Sequence, residues 1–170
     1  VIIILTLLVV LAIPYFDTLQ RRLEAKRVPS SLMSLLAQAR QYALTQRQRV
    51  VVCGSLSGVI CDTRWNDGVL IFHDLNRNSK RDADETILGY EAIAVRYGQV
   101  TWKGAGARSM IIFQANNGMP NGSNGSLYYC TRDIALNRQV ILSRVGQINL
   151  RDLNQDGIYE GAQGLPVACL

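Results

Sequence analysis

The sequence has a single histidine, His73, and no CxxC pair among its four cysteines. Those two absences exclude the common zinc sites, whose Cys and His ligands recur at short spacings. There is no G-x-S-x-G elbow and no glycine-rich phosphate loop, so neither a serine hydrolase nor a nucleotide-binding unit is encoded. An apolar run of the ~20 residues that a membrane-spanning helix requires is also missing. No internal repeat and no second shift in composition occur, and 170 residues have room for one domain plus an appendage. The sequence starts at Val1 without an initiator Met, and so reads as a processed or trimmed product.

Charge is present in blocks. The formal net charge is +5, but residues 17–49 carry +5, residues 50–95 carry −3, residues 96–151 carry +6 and the remaining tail carries −3. The basic character is therefore two separate cationic zones on an otherwise mixed surface. The four cysteines, Cys53, Cys61, Cys130 and Cys169, are an even set in a small chain, which reads as two disulfides and an oxidising compartment. Three connectivities are open. The favoured one closes a short loop between Cys53 and Cys61 and staples the C-terminus to a strand through Cys130 and Cys169. The alternative is four buried free thiols in a cytosolic protein.

Val1 to Ile13 is apolar except for Thr6, and 13 residues at 1.5 Å rise cover only about 20 Å. The segment is either a buried core strand or the latter part of a membrane helix whose beginning lies upstream; with no charged n-region it is not a complete signal peptide. The truncated anchor is the reading adopted. Pro14 and Pro29 each lack an N–H and are expected to bend or locally break the helix that follows. Leu32, Leu35, Leu36, Ala39, Ala43 and Gln46 then recur at three- and four-residue steps, which predicts an amphipathic helix packed on its own domain. After Arg49 the period becomes that of strands, expected at residues 50–53, 69–72, 91–95, 100–102, 110–113, 127–130, 139–142 and 147–150. Gly, Asn and Asp clusters punctuate them, Asn116 to Gly125 above all. The fold class expected is α+β, one long N-terminal helix on an antiparallel β-sheet head. Residues 1–29 form its membrane or filament half and residues 30–170 the globular head, divided into helix 30–49 and the β-rich region 50–170.

An apolar start, a proline near its end, an amphipathic continuation and a cysteine-paired β head together resemble type IV pilins and pseudopilins. The order Trp65-Asn-Asp-Gly68, Val69-Leu-Ile-Phe72, Asp74-Leu-Asn76-Arg-Asn78, Asp82-Ala-Asp-Glu85 and Ile87-Leu88 is similar to the central motif of the GspH/FimT family. Ile112-Phe113, Tyr129-Cys130 and Val140-Ile-Leu-Ser-Arg144-Val-Gly146 resemble its C-terminal half. The resemblance implies a minor subunit of a type IV pilus, or a pseudopilin of a type II secretion system. It further implies residues upstream of Val1 that include a processing site and a glutamate docking the next subunit. The implied partners are other major and minor pilins through the N-terminal helix, and the inner membrane before assembly. The head would stand in the periplasm and later on a cell-surface filament. The basic Arg21–Arg27 cluster opposes this orientation under the positive-inside tendency; the missing leader is taken to carry competing charge.

Three constellations bear on binding. Asp74, Asn76, Asn78, Asp82 and Glu85 put oxygens at positions 1, 3, 5, 9 and 12 of a calcium-loop spacing, with Ser79 where the turn prefers Gly; the other reading is an Asx-rich turn. Asp152, Asn154, Asp156 and Glu160 offer oxygens at 1, 3, 5 and 9 with Gly157 in place, but Gln163 at position 12. Calcium is the one cofactor that these spacings suggest. Some family members bind DNA through Gly-Arg-x-Arg, and here Gln147 and Asn149 replace both arginines. Arg132, Arg138, Arg144 and Arg151 remain as cations that could neutralise the phosphates of double-stranded DNA for natural transformation. His73 lies alone beside a strand, and the pairs Asp74/Asp82 and Asp152/Asp156 sit in turns without an apolar pocket. No catalytic site is expected.

Overall fold

The computed structural model describes residues 2–120, 122–150 and 167–169, with side chains from Tyr15 onward. One helix, α1, runs Ile2–Gln46. Its head-facing stripe is Ala25, Val28, Leu32, Leu35, Leu36, Ala39 and Ala43, none more than 5% exposed. These steps of three and four set one apolar face along the helix. The packed stripe begins before Ser30, so the helix is already committed to the head at Glu24 and Ala25. Neither Pro14 nor Pro29 ends it, contrary to the expected break. Pro29 forfeits one N–H bond, but it is buried beside Val28, and side-chain burial along the rest of this face offsets that loss. The helix stops at Arg47, whose φ of 52° is left-handed and incompatible with a further turn.

Eight strands follow among the described residues: β1 Val50–Gly54, β2 Gly68–His73, β3 Ile87–Ala92, β4 Gln99–Gly104, β5 Ile111–Phe113, β6 Gly125–Cys130, β7 Arg138–Leu142 and β8 Ile148–Leu150. All pairings are antiparallel, but the strands divide into two sheets, ordered β3-β2-β1-β5 and β4-β6-β7-β8. Side chains close two of the edges. Ser123 Oγ accepts from the Ile112 N–H at 2.9 Å and donates to its carbonyl at 3.1 Å, standing where a neighbouring strand would pair with β5. Asn66 Oδ1 accepts from the Val100 N–H on the outer side of β4. Edges satisfied in this way cannot template one another.

Alternation decides what each face meets. On β1 and β2, Val50, Val52, Val69 and Ile71 join the helix stripe, with Ile111 and Phe113 from β5 and Trp102, Leu127, Tyr129, Val140 and Leu142 from the second sheet. The opposite face, Val51, Cys53, Leu70, Phe72 and Ile112, forms a smaller core against Cys61 and Met110. β3 starts earlier than residues 91–95 would suggest. Ile93 is buried and donates its N–H to the Asp67 carbonyl at 2.9 Å, while Ala94 is left-handed, so residues 93–95 turn instead of pairing. Disulfides join Cys53 to Cys61 and Cys130 to Cys169.

Candidate functional site

A polar array built around a buried carboxylate lies where α1 meets the head. Glu24, 8% exposed, accepts from the backbone N–H groups of Arg96 and Tyr97, each at 2.9 Å, and from the Tyr129 hydroxyl at 2.8 Å. One turn on, Arg27 donates to the Ile93 carbonyl at 2.9 Å. One turn back, the Arg21 guanidinium lies 4.8 Å from the Tyr97 ring centre and is held by Asp17 at 2.8 Å. Arg96 covers the same ring at 5.3 Å. Hydrogen bonding to Arg21 lowers the Asp17 carboxyl below its ordinary value. Burial, and then the bond to Glu24, pushes the Tyr129 hydroxyl well above its own. Both acids of this array are engaged by donors. What the array does is fix the direction in which the helix leaves the head, through one carboxylate with three donors. Sequence reading counted Glu24 only as a minor acid in a basic block. The available signal was a carboxylate beside Ala25 on the apolar stripe.

The 74–85 loop is built around its own oxygens. Asp74, with no side-chain exposure, lies 3.2 Å from Arg49 Nε and accepts from the Ser79 N–H at 3.1 Å. Glu85 accepts from the N–H groups of Leu75 at 2.7 Å and Asp82 at 3.1 Å. Asp82 takes both amides, Asn76 at 2.8 Å and Asn78 at 2.6 Å, and those bonds hold its carboxyl below the usual value. Asn76 and Asn78 each also close an Asx turn, on the N–H of Asn78 and of Lys80. Asp74 Oδ1 is buried without a hydrogen bond, yet no three His, Cys, Asp or Glu side chains among the described residues are grouped to hold a metal. In this arrangement the side chains hydrogen-bond one another and the loop backbone. His73 is buried at the foot of the loop, its pKa lowered by burial against a weaker opposing pull from Glu85. The second oxygen-rich run, Asp152, Asn154, Asp156 and Glu160, lies outside the described residues, as does Arg151.

The structure disperses the arginines singled out for nucleic acid. Arg132 is exposed just beyond β6, at the end of the second sheet where Tyr129 pairs with Arg138. Arg144 is exposed on the β7–β8 turn at the opposite end, where Leu142 pairs with Gly125. Arg138 is buried, with its guanidinium on the carbonyls of Ala135 at 2.8 Å and Asn137 at 2.7 Å. Beside Arg144 stands a residue that sequence reading left out of this set: a Cβ added at Gly146 would lie 3.0 Å from Arg40 Nε, which places that α1 side chain under the turn. A 530 Å³ groove between residues 63–67 and β4 is lined by Trp65, Trp102, Val100 and polar residues without His or Cys.

Because the folded chain keeps Tyr129 protonated where an unfolded tyrosine has ionised, this group contributes stability that is complete below a pH of about 10 and is lost as pH rises toward the raised folded value. Alkaline unfolding followed by circular dichroism is expected to show that decline in the parent protein. Tyr129→Phe is expected to flatten it while lowering stability at neutral pH by about 1 kcal/mol through loss of the bond to Glu24. An unchanged alkaline slope in the variant would separate Tyr129 from the effect.

With this geometry in view, comparison with known proteins is informative. The fold matches the type IV minor pilin FimU of Pseudomonas aeruginosa, with a TM-score of 0.59 and 19% identity over 77% of this chain and 90% of that one. A second crystal form of FimU gives 0.56 and 20%, covering 75% and 92%. The minor pseudopilin EpsH from the type 2 secretion system of Vibrio cholerae gives 0.53 at 10% identity, covering 78% and 99%. At such identities these likenesses show the shared fold. The chain matches none of the curated proteins. The sequence profile of the family described as "Type II transport protein GspH" matches residues 30–146, which spans the packed half of α1, the first sheet, the central loop and the second sheet as far as the β7–β8 turn. The chain belongs to the GspH family of minor pilins and pseudopilins.

Proposed function

We propose that the chain is a minor subunit of a type IV pilus that helps start or extend the filament by interaction and catalyses no reaction. The observation carrying this reading is the uninterrupted helix Ile2–Gln46, about 68 Å of rod at 1.5 Å per residue, clamped to the head at Glu24. Ahead of the clamp it shows Tyr15, Phe16, Leu19 and Leu23, between 41% and 77% exposed. Apolar side chains at such spacing on a rod are suited to packing against like rods. The apolar run before them would sit in the inner membrane before assembly and in the filament core afterwards. Among the described residues no helix is by itself long and apolar enough to cross a membrane, so the anchor role rests on the pattern of residues 1–13 and on family membership. Two disulfides suit a head displayed in the periplasm and then at the cell surface.

The pseudopilin reading uses the same rod in a secretion system, and a deletion strain tells them apart. Loss of surface pili with normal protein export, restored by the parent gene but not by Phe16→Asp with Leu19→Asp, is the expected result. Blocked export with normal piliation would assign the chain to secretion instead.

A DNA-capturing role is a second reading, favoured by the exposed Arg144 on the β7–β8 turn, under whose Gly146 the Arg40 side chain runs. Backbone phosphates need density of positive charge more than a fixed motif. In a gel-shift titration with double-stranded DNA, Arg144→Ala is expected to weaken binding and to reduce the slope of log affinity against log salt by roughly one. Parent protein that fails to retard DNA at low salt would remove this reading.

A further inference from the structure

The helix–head junction also forms a surface for which the clamp alone gives no reason. Arg21, Arg22, Lys26 and Arg27 on α1 and Arg96 on the head gather five cations there, against Asp17 and Glu24. Both acids are engaged, Asp17 by Arg21 and Glu24 by three donors. Arg22, Lys26, Arg27 and Arg96 are exposed. Between helix and head lies a 420 Å³ groove whose wall combines Arg27 and Arg96 with Gln20, Leu23, Ala94, the Tyr97 ring and Glu24, whose carboxylate is already bound by its three donors. Cationic rim, apolar wall and aromatic side make the chemistry of an anionic headgroup with the start of its acyl chains.

Position supports the same ligand. Phe16 to Leu23 is seven residues, about 10 Å of helix, enough to cross the roughly 5–8 Å of one headgroup layer. Tyr15 and Phe16 would then stand at the level where aromatic residues collect, with the cations just above.

We infer that the helix–head junction is a docking surface for anionic phospholipid on the outer face of the membrane, with Arg27 and Arg96 on the headgroup seated in the groove, Leu23 and Tyr97 against its glycerol end, and the exposed Arg22 and Lys26 on other faces of the same helix turns meeting neighbouring headgroups. This rests on the membrane-anchor reading. It also gives a physical reason for a basic cluster on the exported side of an apolar helix, since lipid phosphates compensate it there. Before assembly the surface would hold the head upright on the bilayer, and extraction into a filament would have to strip the lipid away.

The test uses the full gene product in vesicles of phosphatidylcholine with and without phosphatidylglycerol, comparing the parent with the Arg22→Gln, Lys26→Gln, Arg96→Gln variant. Resistance to alkaline carbonate extraction reports the anchor, and lipid retained after gentle detergent release, weighed by native mass spectrometry, reports the surface. Expected are carbonate resistance in both proteins and selective retention of phosphatidylglycerol by the parent, falling about fivefold for each cation removed. A carbonate-resistant parent with no preference for phosphatidylglycerol overturns the docking surface and leaves the anchor standing. Extraction by carbonate overturns the anchor, and the inference with it. If inorganic phosphate alone displaces the retained lipid, the groove is a free-anion site and the lipid assignment is wrong. The parent comparison decides the matter even where the variant folds poorly.

Discussion

Glu24 projects from the side of a helix into a place where the head presents two backbone N–H groups and a tyrosine hydroxyl with no other acceptor. Buried donors left unanswered cost about 1–3 kcal/mol each, so the head closes properly only with the helix seated at this height and rotation. The apolar stripe from Ala25 to Ala43 supplies most of the attraction, but hydrophobic contact is non-directional and would tolerate sliding. The carboxylate selects one register, and Arg27 on the Ile93 carbonyl repeats the choice one turn later.

The remainder of the head serves the same end. Its two sheets share one core with the helix, and two of their four edges, β5 and β4, are partly satisfied by Ser123 and Asn66. The Cys53–Cys61 bridge braces the segment over the smaller core. Cys130–Cys169 ties the chain end to β6, the strand that carries Tyr129, and so restrains one of the partners of Glu24. The polar loop 74–85 adds a lobe tied together by its own Asx turns and anchored to the foot of β1 through Arg49.

Much of this was legible in the sequence because it follows period. Valine runs at 50–52 and the apolar pairs at 69–72 and 110–113 announce strands, and the stripe from Leu32 to Ala43 announces a helix on a sheet. The ordered block from Trp65 to Leu88 named the family. Period does not report tertiary hydrogen bonds. Hence the strand expected at 91–95 missed the capture of Ile93 by Asp67, and the division into two sheets depended on single side chains, Ser123 and Asn66. The prolines misled because local propensity yielded to burial of the face around Pro29. Among the arginines, sequence position could not tell the buried Arg138 from the exposed Arg144, nor place Arg40 under the turn that carries it. Glu24, the residue on which the junction turns, looked like one charge among many.

Hydrogen exchange read residue by residue addresses the junction directly. The Arg96 and Tyr97 amides sit in an irregular segment and have Glu24 as their acceptor. They are expected to exchange as slowly as amides in the neighbouring strands, and to lose protection together in Glu24→Ala while β1 and β2 keep theirs. Exchange at these two positions as fast as in an open loop in the parent protein would contradict the account.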